Sequence, residues 1–299
     1  MTTPPADSAL PRDALLSGVA AYAMWGLFPL FWVLLADAGA VETLAHRIVW
    51  SLVAVAVALA VGRGSFAWVR PTLAAHGLQM MAAAALIAVN WGMFIYAVTS
   101  NHTVESSLGY FINPLVNLVL GWLVFGERLD RFGRIGALLA FVGVVVISAQ
   151  SWRTVWISLV LAGSFGLYGM VKKKTSVPAL QTLFLESLLL LVPSLAWLGW
   201  LAARGEGRFG TDWGLTGLFL VSGALTALPL FFFALAAKGL PLGTLGVLQY
   251  IGPTGQFLIG WLLFDQGVSL VWWIGMVVVW SGCVVYLVGM VRRQRRVPR

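Results

Sequence analysis

The polar residues of this chain come in short clusters, and the apolar runs between them are about as long as a bilayer crossing. A helix rises 1.5 Å per residue, so about 20 mainly apolar residues span the hydrocarbon core. On that measure the pattern predicts ten helices, at 14–36, 42–62, 76–98, 105–125, 133–150, 154–171, 178–202, 213–236, 241–264 and 269–291. The polar run "QSWR" (150–153) divides the fifth from the sixth. The predicted organisation is one membrane domain: a polar tail at 1–11, five helices in 12–150, five more in 151–291 and a basic tail at 292–299. The first apolar run continues beyond 20 residues without a small-residue cleavage site, so it reads as a retained helix.

Composition narrows the class to an all-α integral membrane protein. Hydrophobic residues make up 60% of the chain and charged residues 10%, with a mean hydropathy of +0.90, whereas soluble domains are about a quarter charged. The net charge of +8 then concerns topology and anionic lipid at the cytoplasmic face, not nucleic acid. With a cytoplasmic N-terminus and ten spans, the inner segments hold Arg12, Arg63, Arg70, Arg128, Arg131, Arg134, Lys172, Lys173, Lys174, Lys238 and the five arginines of "RRQRRVPR". The outer loops hold Arg153, Arg204 and Arg208, and Arg47 lies within a span. Fifteen against three is the asymmetry of the positive-inside rule, and it places both termini in the cytoplasm. The single Cys283 rules out an intramolecular disulfide or a cysteine-based metal cluster, and His76 and His102 lack metal-ligand spacing. No metal or cofactor is expected.

The chain also repeats. Shifted by 139 positions, "FINPLVNLVLGWLVF" (111–125) overlies "YIGPTGQFLIGWLLF" (250–264), matching Pro114 with Pro253, Gly121 with Gly260, and Gly136 and Gly143 with Gly275 and Gly282. At a shift of 140, "WGLF" (25–28) overlies "FGLY" (165–168). Each half holds five predicted helices. An odd number inverts the second half, which is a common plan of secondary transporters with the solute site near the midplane.

Five stretches carry a family resemblance: "AHRIVWS" (45–51), "NWGMFIYAV" (90–98), "NHTVESSLGYFINPLVNLVLGWLVFGERL" (101–129), "QTLFLESLLLLVP" (181–193) and "LGTLGVLQYIGP" (242–253). With these the chain resembles the drug/metabolite transporter superfamily, EamA type, and within it the RarD-like proteins, nearly end to end. The resemblance implies ten helices in two inverted five-helix repeats around a central cavity, in a bacterial inner membrane, with export of small metabolites. Aromatic amino-acid exporters of the YddG kind belong to the same superfamily, so the implied solutes are amino acids, aromatic or apolar ones included.

Polar groups inside the spans are the candidate site, because burying them in lipid is costly. Pro114 and Pro253 each lack the N–H that would bond the carbonyl four residues back, so both halves are expected to bend there. Asn113, Asn117 and Tyr110 on the first bent helix, and Gln249, Tyr250 and Gln256 on the second, are expected to face a solute cavity. Asn90, Trp91 and Phe94, with Tyr22, Trp25, Phe165 and Tyr168, would complete an aromatic-rich lining. His46, Arg47 and Glu186 are candidates for coupling or gating, since the 140 shift sets Glu186 over His46. Each also has a plainer reading, as packing between helices or reach to the interface. No nucleophile with a base, no carboxylate cluster and no His pair is in register for an enzyme. The expected activity is therefore alternating-access export by a monomeric unit, with a membrane scaffold or an embedded enzyme as the competing readings.

Overall fold

The computed structural model describes residues 12–63, 65–126, 131–172, 177–240 and 242–296, and every regular element among them is helical. The helices are α1 (Arg12–Trp32), α2 (Gly39–Arg63), α3 (Val69–Thr99), α4 (Thr103–Phe125), α5 (Arg131–Ser151), α6 (Val155–Lys172), α7 (Ala179–Arg204), α8 (Trp213–Gly239), α9 (Leu242–Leu248), α10 (Ile251–Leu258) and α11 (Leu270–Arg296). Among the described residues eight stretches are long and apolar enough to cross a membrane, counting Arg12–Gly62 as one of 51 residues. That long stretch turns through a 3-10 segment, Val33–Ala38, and at Gly39, whose φ of 71° suits a residue without a Cβ. Leucines, valines and aromatic residues cover the outside, among them Leu138, Phe141, Val192 and Leu262, as expected where the solvent is lipid.

The interval expected at 241–264 departs from a single helix. It divides into α9, a turn at Gln249–Tyr250, α10 and a π turn over Ile259–Leu263. The turn falls at the residue whose carbonyl Pro253 leaves unbonded, in a stretch weakened further by Gly246, Gly252 and Gly255. Its Tyr250 amide bonds the Val247 carbonyl, three residues back, at 3.3 Å. The counterpart α4 runs through Pro114 without interruption. Pro114 is buried there, in a helix clamped by α6, α10 and α11. The two proline positions are therefore unequal in outcome, with a break in one half and an intact helix in the other. In α3 the helical dihedrals fail at His76 (φ −132°, ψ 17°), where the expected span begins.

Several helix pairs touch backbone to backbone. A Cβ on Gly136 would meet the Gly282 carbonyl at 2.9 Å, and one on Gly143 would meet that of Gly275 at 2.6 Å. These two pairings run α5 and α11 antiparallel, and a shift of 139 exchanges one for the other. The same exchange links other contacts. Gly26 of α1 lies against Gly255 of α10, while Gly166 of α6 lies against Val116 and Asn117 of α4. α1 packs on α8 as α3 packs on α6, and α2 packs on α8 as α3 packs on α7.

At one end of the bundle the loops of the two halves are tied together. Gln266 accepts from the Val104 amide at 2.8 Å and donates to the Asn101 side chain at 2.9 Å. Ser269 donates to Gln150, and Glu42 accepts from the Arg208 amide at 2.6 Å. Asn101 and Asp265 both take left-handed conformations in these loops, with φ of 62° and 50°.

Candidate functional site

Arg47 lies where α1, α2, α3 and α8 converge, and only 3% of it is exposed. Its Nε donates to the Thr226 hydroxyl of α8 at 3.0 Å. Its guanidinium carbon is 4.0 Å from the centre of the Trp91 ring, 4.8 Å from Trp32 and 5.9 Å from Phe28. Such contacts stabilise a desolvated cation by about 2 kcal/mol each at close range. Three rings and Thr226 therefore surround the guanidinium, while Nη1 has no hydrogen-bond partner among the described residues.

Asn90 joins three helices. Its amide donates to the Leu161 carbonyl at 3.0 Å and to the Ser164 hydroxyl at 3.1 Å, both on α6, and its oxygen accepts from the Tyr110 hydroxyl of α4 at 3.1 Å. From there a line of rings crosses the bundle: Phe94 to Tyr110 at 5.7 Å, Tyr110 to Phe165 at 6.2 Å, and Phe165 to Tyr168 at 5.9 Å. It ends on Glu186, whose carboxylate accepts from the Tyr168 hydroxyl at 3.3 Å. Lys172 lies within charge-interaction range of Glu186, its ammonium 5.7 Å from the Tyr168 ring. Both Asn90 and Glu186 are buried.

The other expected residues divide between helix contacts and exposed positions. Tyr22 and Trp25 pack edge-on at 5.3 Å and both meet Phe233 of α8. Gln256 is buried and donates to the Trp25 carbonyl at 3.2 Å, a bond between α10 and α1. Asn117 is exposed, with its oxygen over Gly166 and Gly169 of α6. Asn113 is buried with its oxygen unbonded among the described residues. Tyr250 stacks on Phe111 at 6.3 Å, and Gln249 sits half-buried at the turn before α10. His46 is held between Phe219 at 4.1 Å and Phe209 at 5.0 Å, with its Nε2 3.9 Å from Glu42. Its neighbours thus differ from those of Glu186, despite their match in the repeat.

A cavity of about 380 Å³ opens at the tied end of the bundle, where Asn101, His102, Glu105, Gln150, Asp265 and Gln266 are among its lining. None of the residues expected around a central cavity lines it. Sequence reasoning missed Thr226, Ser164, Trp32 and Phe233. Small hydroxyls and aromatics are common in membrane helices, and nothing in the spacing marked these. Phe28 was traceable, because the 140 shift pairs it with Tyr168, and each flanks a buried charged residue of its own half.

The chain matches the model of the EamA-like transporter family over residues 13–149. It is 45% identical over 289 residues to Protein RarD of Streptomyces exfoliatus, across 95% of this chain and 91% of that protein. It is 36% identical over 282 residues to an uncharacterized transporter of Vibrio cholerae, across 93% and 92%. A solved crystal structure with 16% identity superposes at a TM-score of 0.59, covering 92% of this chain and 97% of its own. At that identity the likeness concerns the fold alone.

Proposed function

We propose, from the premise that this chain belongs to the EamA-like transporter family as a RarD-like member of the drug/metabolite transporter superfamily, that it exports small metabolites, most specifically aromatic or apolar amino acids. The chain is a multi-pass membrane protein, and in this reading ten segments cross the bacterial inner membrane with both termini in the cytoplasm. α1 and α2 count as two crossings, and α9, α10 and the π turn together make one. The two halves are then inverted five-helix repeats, a plan supported by the antiparallel Gly136–Gly282 and Gly143–Gly275 pairings that the 139 shift exchanges. Contacts that swap in this way are those of a two-fold relation.

The observation that carries the transport reading is the line of rings from Phe94 to Tyr168, with Asn90 at one end and Glu186 at the other. It draws on α3, α4, α6 and α7, so it spans both halves. Clefts for small molecules combine apolar and aromatic walls with a few orienting polar groups. A relative motion of the halves would open this line to one side and then the other. The loop ties at Gln266 and Glu42 are the contacts that must part at one end, and the broken α9–α10 segment supplies a bend that can absorb movement. Glu186 acts in coupling and His46 and Arg47 in gating, and a single chain forms the transport unit.

The test is counterflow in proteoliposomes preloaded with unlabelled amino acids and offered labelled phenylalanine, leucine or other metabolites. Accumulation of an aromatic or apolar amino acid above empty vesicles supports the proposal. No flux for any solute would favour a membrane scaffold instead.

A further inference from the structure

A guanidinium is charged at any pH the protein meets, and in a low-dielectric interior it needs a counter-charge or a full set of acceptors. Among the described residues Arg47 meets one acceptor, Thr226, and three aromatic rings. Among the described residues no carboxylate lies within 4.0 Å of it. The unbonded groups beside it follow a pattern. Thr43 and Ser51, one helical turn before and after Arg47 on α2, are both fully buried with hydroxyls unbonded among the described residues, and so is the Trp32 indole N–H. Residues spaced by four share a helix face, so Thr43, Arg47 and Ser51 form one buried polar stripe.

We infer that this stripe, centred on the Nη1 edge of Arg47, receives the carboxylate of the carried solute. The inference rests on the transport reading above and deepens it by naming what the solute must present. A carboxylate supplies the charge that Arg47 lacks and accepts the N–H and hydroxyl donors around it. The walls of Phe28, Trp32 and Trp91 favour an apolar or aromatic body attached to that carboxylate over a small hydrated anion. Arg47 touches solute in this account. If Arg47 only braced α1, α3 and α8 together, it would show no preference for a carboxylate.

The test measures thermal-shift midpoints of the full-length protein in detergent at constant chloride. The probes are 3-phenylpropionate, its neutral amide 3-phenylpropionamide, and inorganic phosphate. The carboxylate is expected to raise the midpoint by about 2 °C or more at saturation, with the amide and phosphate leaving it unchanged. Arg47→Gln is expected to weaken the response to the carboxylate about tenfold or more in concentration, with Arg47→Lys intermediate because it keeps the charge without the planar edge. Equal shifts from acid and amide, or a shift from phosphate alone, would overturn the inference. The wild-type comparison decides the matter even if Arg47→Gln fails to fold. Counterflow of neutral and carboxylate solutes at equal rates sinks this inference and leaves transport standing. A carboxylate-selective shift without any counterflow retains an anion site and sinks the transport reading.

Discussion

Gly223 of α8 is the position where a single methyl group should do most harm. A Cβ there would lie 2.1 Å from the carbonyl carbon and oxygen of Trp50 and 2.7 Å from the Ser51 amide. All three are backbone atoms of α2, so no side-chain rotation relieves the clash. Ordinary contacts fall near 3.5–4.0 Å, so in Gly223→Ala the two helices must separate by roughly 1.5 Å. Thr226 is one turn away on the same helix and bonds Arg47 at 3.0 Å. A separation of that size stretches the bond to about 4.5 Å, beyond hydrogen-bonding range. Overpacking of this kind costs about 1–3 kcal/mol, and loss of a buried bond to a charged group adds about as much. The apparent melting midpoint of the purified protein should fall by about 5 °C or more, and counterflow should fall with it. Gly163→Ala is the control, because a Cβ there meets nothing within 4 Å. It should be neutral or slightly stabilising, since alanine favours helix over glycine by about 1 kcal/mol. If the two variants melt together, the backbone clash at α2–α8 is not what the structure implies.

Three further outcomes follow from the site. Asn90→Ala leaves the Tyr110 hydroxyl without its acceptor and the α6 groups without their donor, so stability in a thermal melt should fall by about 1–3 kcal/mol. Glu186→Gln mimics the protonated carboxyl, so counterflow measured across pH should match the wild-type low-pH rate throughout; an unchanged pH profile would remove Glu186 from coupling. His46→Phe keeps the stacking against Phe209 and Phe219 and should retain that pH profile, whereas a flattened one would give His46 the coupling role.

Most helix ends were legible because lipid imposes a length and an apolar surface on each crossing. The cut at "QSWR" is realised as the turn between Ser151 and Val155. The break at Gln249–Tyr250 was signalled by Pro253, yet the same signal at Pro114 produced no break. Proline removes one bond in either case, and packing and local glycine content decide whether the helix gives way. The candidate site was legible in its ionisable and amide members, since such groups are rare in spans. Their partners were not. Only the crossing of α2 with α8 places Thr226 on Arg47, and no local pattern along either helix encodes that. Gln256 shows the converse: expected at a cavity, it bonds the Trp25 carbonyl and joins α10 to α1.

The central claim is that solute crosses because the two halves part at the tied end. In a Cys283→Ser background, Asn101→Cys and Gln266→Cys replace two side chains whose polar atoms lie 2.9 Å apart, and a short thiol-reactive linker can join them across the halves. The account predicts counterflow that stops on cross-linking and returns when a reducible linker is cleaved. Counterflow that continues at the full rate with the linker in place would contradict it.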